Sequence, residues 1–137
     1  MKKRTAILLI TLMMVLLSGC SGASYVFSGS ETRVKITATA DDEKYGESSV
    51  FSVGKDREIV VSTDLSKGSL KMEFAEAFVF PETEDTPEDV VIGDVVHTIT
   101  VTSNDSVTFE LPQGDYIILV TAVGRTEGKV EVNVNKK

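Results

Sequence analysis

One thiol, one imidazole and one run of carboxylates are the candidates for chemistry in this sequence. Cys20 is the only cysteine and His97 the only histidine. A lone thiol excludes disulfides within the chain and metal sites of several thiolates but leaves a nucleophile free for covalent modification. Any imidazole catalysis has to run through His97, which alternates on a strand-like face with Val95, Ile99 and Val101. That setting predicts a hydrogen-bonded core or rim histidine. Ser and Asp are plentiful, so a Ser-His-Asp site is compatible with the composition, yet no Gly-x-Ser-x-Gly elbow or His-Glu-x-x-His motif is present. No catalytic residue is therefore expected. Glu82, Glu84, Asp85, Glu88 and Asp89 are hard oxygen donors in a stretch, Pro81 to Gly93, that has no basic residue. They match no calcium-loop spacing, so no metal site is assigned. They read either as a solvated loop or as contacts for a basic partner or an ion.

The position of Cys20 is set by what precedes it. Lys2-Lys3-Arg4 forms a basic tip, Ala6 to Leu17 an unbroken apolar run, and Ser18-Gly19 a pair of small residues. This is the order of an export signal peptide. As a helix the apolar run would rise ~18 Å, short of the ~30 Å of a bilayer core. Leu17-Ser18-Gly19-Cys20 resembles the lipobox of bacterial lipoproteins. The resemblance implies cleavage between Gly19 and Cys20, lipid on the Cys20 thiol and acylation of the new amino terminus. Each buried lipid methylene adds ~0.8 kcal/mol and a single chain anchors marginally, so the several chains of that family would hold the protein firmly. The organisation that follows is a signal-peptide helix at 1–19, a lipidated cysteine with a short tether at 20–30, and one folded domain at 31–137. No cofactor is expected beyond the covalent lipid.

Removing the leader takes Lys2, Lys3 and Arg4 with it, and the net charge falls from −7 to −10. An acidic surface argues against nucleic acid, which is bound by clustered Lys and Arg. It also argues against the domain lying flat on an anionic leaflet. Without disulfides, the domain has to be held by its core.

The rest of the chain carries a period of two. Tyr25-Val26-Phe27 reads as a short strand or as the far end of the tether. Val34, Ile36, Ala38 and Ala40 alternate with Arg33, Lys35, Thr37 and Thr39, the pattern of a half-buried strand. Further strands are expected at Val50–Val53, Glu58–Thr63 and, after a turn at Asp64–Gly68, from Leu70 to Phe80, with a bulge between Phe74 and Phe78 where the alternation slips. Thr86-Pro87-Glu88-Asp89 allows one helical turn inside the acidic stretch, Thr86 capping it. Strands resume at Val95–Val101 and Val107–Leu111. Tyr116 to Val123 is apolar on both faces, and Gly124–Gly128 is expected to close a hairpin onto Val130, Val132 and Val134. Phe51, Phe74, Phe109 and Tyr116 are assigned to the core, and Tyr25 and Tyr45 to the surface. The fold class is all-β, an antiparallel sandwich of seven or eight strands.

Leu111-Pro112-Gln113-Gly114-Asp115-Tyr116, leading into Ile118 and Val120, resembles the closing hairpin of the bacterial pre-peptidase C-terminal jelly-roll. It is also similar to the tyrosine corner of fibronectin type III and immunoglobulin-like domains. Either resemblance implies a β-sandwich used as an accessory or binding module. The expected function is a lipid-anchored, non-catalytic protein-interaction module on the extracytoplasmic face of a membrane, outer or periplasmic if the cell has two. A polysaccharide- or calcium-binding accessory domain is the alternative, and a hydrolase the last choice. The expected partners are the membrane, through the lipid, and a protein.

Overall fold

Two long strands carry the architecture, β5 (Arg57–Phe80) and β8 (Gly114–Lys136). The computed structural model describes residues 24–30 and 32–136; the leader, Gly19 and Cys20 lie outside them. β5 and β8 pair antiparallel from Arg57↔Lys136 to Glu76↔Tyr116. Six shorter strands attach to this pair: β1 (Ser24–Ser30), β2 (Arg33–Ala40), β3 (Tyr45–Glu47), β4 (Phe51–Val53), β6 (Asp89–Val101) and β7 (Ser106–Glu110). The sheet begins at Ser24, so the stretch assigned to the tether ends in a strand, the first of the two readings of Tyr25–Phe27.

Both long strands bend at the same level. The β5–β8 register shifts between Leu65 and Lys67 and again between Lys67 and Ser69. Gly68 (φ 76°) and Gly128 (φ 142°) lie at this corner. A Cβ on Gly128 would stand 2.4 Å from the Asp64 carbonyl oxygen and one on Gly68 2.3 Å from that of Arg125, so the backbones approach here as only glycine allows. The bend folds the sheet on itself. In one layer the first half of β5 pairs with β7 and with the second half of β8, which continues to β2 and β1. In the other, the second half of β5 pairs with β6 and with the first half of β8, which continues to β3 and β4.

The core lies between the layers. Period-two alternation turns Ile36, Ile59, Val61, Val130 and Val132 inward from one layer and Leu70, Met72, Phe74, Ile118 and Val120 from the other, each 2% exposed or less. Burial of each such side chain is worth ~1.5–3 kcal/mol. Phe74 and Phe109 meet edge to face across the layers, with centroids 5.0 Å apart. The expected all-β antiparallel sandwich is therefore present, with eight strands and no closed barrel.

Several local expectations are corrected. Asp64–Gly68 and Gly124–Gly128 are corners inside continuous strands, not a turn and a hairpin. The two halves of β8 each pair with β5, and glycine at a corner looks in sequence like glycine at a turn. No helical turn forms at Thr86, because Thr86 N donates to Thr83 Oγ1 (3.1 Å) and its carbonyl accepts from Thr83 N (2.8 Å). Tyr25 is buried, its hydroxyl donating to the Lys44 carbonyl at 2.6 Å. Burial pushes the Tyr25 pKa up to about 12. Phe51, Phe74 and Tyr116 are core residues as expected, with Phe109 packed against them, and the Tyr116 hydroxyl donates to the Pro112 carbonyl at 2.6 Å.

Candidate docking arm

The β5–β6 ladder outruns the rest of its layer. It extends from Leu70↔Val101 to Phe80↔Asp89, whereas β8 last meets β5 at Glu76↔Tyr116. Beyond Glu76 the pairs Ala77↔Ile92, Phe78↔Val91, Val79↔Val90 and Phe80↔Asp89 form a two-stranded arm with no third strand among the described residues. Register breaks between Phe74 and Ala75 and between Ala75 and Ala77 mark its root. Such bulges bend the strand and sharpen its local twist. The expected slip between Phe74 and Phe78 is thus present. One consequence overturns an expectation: Val95 pairs with Ala75 while His97 pairs with Phe74, so the bulge turns Val95 off the face of His97 and leaves it exposed.

The arm leaves a group of large apolar side chains open to water. Phe78, Val79, Phe80, Val90, Val91 and Ile92, with Val95 and Val96 at the root, are 37% to 55% exposed. Elsewhere among the described residues only Val26, Tyr45 and Val123 are large hydrophobics so open to water. Alternation places Phe78, Phe80 and Val91 on one face of the arm and Val79, Val90 and Ile92 on the other. The Phe78 ring lies over Gly93, where a Cβ would come within 2.5 Å of Phe78 Cε2, an aromatic filling the gap beside a strand glycine. A two-stranded ribbon is marginal alone in water. This one is held by its continuity with the sandwich.

Carboxylates surround these side chains. From Glu76 to Val96 there are seven acidic residues and no basic one, and no Lys or Arg occurs between Met72 and Gly124. The expected acidic residues fall here, on a shorter loop than expected. Glu82, Glu84, Asp85 and Glu88 lie in the tip, Pro81–Glu88, while Asp89 opens β6 and accepts a hydrogen bond from Val90 N at 2.9 Å. Pro81, lacking an N–H, ends the ladder. Among the described residues no three His, Cys, Asp or Glu side chains converge as a metal site would require. Cations are concentrated elsewhere. At the corner of the sandwich Arg125 pairs with Asp41 at 2.7 Å and Lys67 with Glu127 at 3.0 Å. Lys67 foremost, with Arg125, holds the Glu127 carboxyl below its usual range.

His97 is half-buried at the rim, one of the two expected positions, but ring contacts hold it in place of the expected hydrogen bond. It stacks on Phe109 with centroids 4.0 Å apart and planes at 20°, and lies 6.4 Å from Phe74. It thereby ties β6 to β7 across the layers.

The register also orients the arm. Ser24 is level with Thr39, Glu127 and Lys67, at the corner. At ~3.3 Å per strand residue, the run along β5 from Lys67 to Phe80 covers roughly 40 Å. The arm and Ser24 therefore lie at opposite ends of the domain. The exposed side chains of the arm were missed in sequence because Val90–Ile92 falls in the stretch read as a polar loop. The available signal was two apolar runs, Phe78–Phe80 and Val90–Ile92, facing each other across an acidic turn. In comparisons with known proteins, no family model and no curated protein matches this chain.

Proposed function

We propose that the mature chain is a non-catalytic protein-interaction module, anchored at the extracytoplasmic face of a membrane by lipid on Cys20, and that the β5–β6 arm is its docking element. The exposed apolar arm carries this reading. Soluble domains rarely leave apolar patches of this extent open unless something covers them, and here the patch sits on a projection that adds nothing to the core between the layers. The placement of Ser24 supports the anchored geometry. A lipid four residues upstream holds the corner against the membrane and presents the arm outward.

The test is site-specific photo-crosslinking in native membranes, with the photoreactive residue at position 79 on the arm or at position 26 on the opposite edge of the sheet. The reading predicts a discrete protein adduct from position 79, none from position 26, and loss of the adduct in Cys20→Ala, which also leaves the membrane fraction. Equal labelling from both positions, or firm membrane retention of Cys20→Ala, contradicts it.

A further inference from the structure

Resting on that reading, we infer the kind of partner: an extended protein segment in which apolar residues alternate with Lys or Arg, added as a further strand along the free edge of β6. β6 is a 13-residue strand that pairs, among the described residues, with β5 alone. Every second residue thus turns its N–H and C=O outward with no strand to receive them. Natural edges are usually blunted by lysine, proline, short length or β-bulges, and of these β6 has only the two register breaks near its root. Asp89–Val101 is long and contains neither Lys nor Pro. Register breaks at Val96 and at Gly93–Asp94 divide the edge, and the straight run beyond them, Asp89–Ile92, carries Val90 and Ile92 on one face and Val91 on the other.

Charge selects among the occupants such an edge accepts. A second copy of this chain would set seven more carboxylates against the seven already present between Glu76 and Val96, with no cation on either arm. An anionic leaflet meets the same repulsion, and the arm lies at the end of the domain away from Ser24. A basic, apolar strand satisfies all three features at once: its backbone completes the ladder, its apolar side chains cover Val90 and Ile92 on one face, and its cations, on the other, meet Asp89 and the acidic tip.

The experiment uses the full lipidated chain in phosphatidylcholine nanodiscs and fluorescence anisotropy with three labelled ten-residue peptides. One alternates Lys with Val, the second alternates Glu with Val, and the third is the first with alternate amides N-methylated along one edge. The Lys peptide is expected to bind, and to bind about tenfold more weakly when NaCl rises from ~0.05 to ~0.5 M. The methylated peptide, with the same charge and side chains, should bind at least about tenfold more weakly, and the Glu peptide should not bind. Equal binding of the methylated peptide overturns strand addition, and equal binding of the Glu peptide overturns charge selection. Arm-dependent dimerisation without peptide, or binding of Cys20→Ala to phosphatidylglycerol vesicles, assigns the edge to another occupant and overturns the inference. The two readings fail separately. Failure of all three peptides with an intact adduct from position 79 removes only this inference, whereas absence of that adduct removes the docking function itself.

Discussion

Replacing Val91, Val95 and Val96 together by Thr separates docking from folding. These residues are 46%, 43% and 41% exposed, so their open surface amounts to about 1.3 fully exposed valine side chains. At ~1.5–3 kcal/mol per completely buried aliphatic side chain, a partner that covers all of it gains ~2–4 kcal/mol, and one that covers half gains ~1–2 kcal/mol. The triple variant should therefore dock about fivefold to several hundredfold more weakly. Folding should scarcely register the change. Thr keeps the β-branched shape that suits a strand, and substitutions at exposed positions usually stay within ~0.5 kcal/mol each. Thermal unfolding by circular dichroism, run beside the yield of the position-79 adduct in membranes, reads both quantities. The reasoning predicts a melting temperature within about 5 °C of wild type and an adduct yield reduced at least about fivefold at limiting partner. It is refuted by undiminished adduct, or by a destabilisation of ~3 kcal/mol or more, which would mean that these valines belong to the core.

Three further predictions concern the sandwich. Phe74→Ala removes a fully buried ring between Phe51 and Phe109 and should cost ~3–5 kcal/mol in chemical denaturation; a cost below ~1 kcal/mol would contradict the packing of the layers. Tyr116→Phe deletes the hydroxyl bonded to the Pro112 carbonyl and should cost ~1 kcal/mol, with an unchanged denaturant slope showing that the fold is kept. Tyr25 ionises near 10 when unfolded but at about 12 when folded, so the unfolded chain releases its proton first. Its contribution is complete below pH ~10 and is lost as the pH rises towards ~12, by ~1–3 kcal/mol, a slope that Tyr25→Phe should flatten in alkaline denaturation curves.

What the sequence reveals and what it hides differ in range. The alternation Val34, Ile36, Ala38, Ala40 is legible because a strand's faces are decided by neighbours two residues away, and all four are buried. The bulge after Phe74 is legible for the same reason. Corner and turn are indistinguishable locally: Gly124–Gly128 joins two strand-like runs either way, and the outcome depends on β5, some sixty residues earlier, bending at the same level. Tyr25 reads as surface because its cover, the Lys44 carbonyl, comes from a loop 19 residues on. The arm was hidden by the course of β8. Whether Phe78 and Val91 are covered depends on where the neighbouring strand parts from β5, and β8 last pairs with β5 at Glu76↔Tyr116. The acidic residues were visible as a group, but their association with an open apolar edge is a product of topology.

The claim that a partner completes the β6 edge is tested most directly by hydrogen exchange of the full chain, compared between native membranes and the detergent-purified protein. The account predicts that amides of Val90–Val96 facing away from β5 exchange rapidly in the purified protein and become protected in the membranes, while the amides shared by β5 and β8 exchange alike in both. Equally rapid exchange of the β6 edge in native membranes, with the β5–β8 ladder intact, would contradict it.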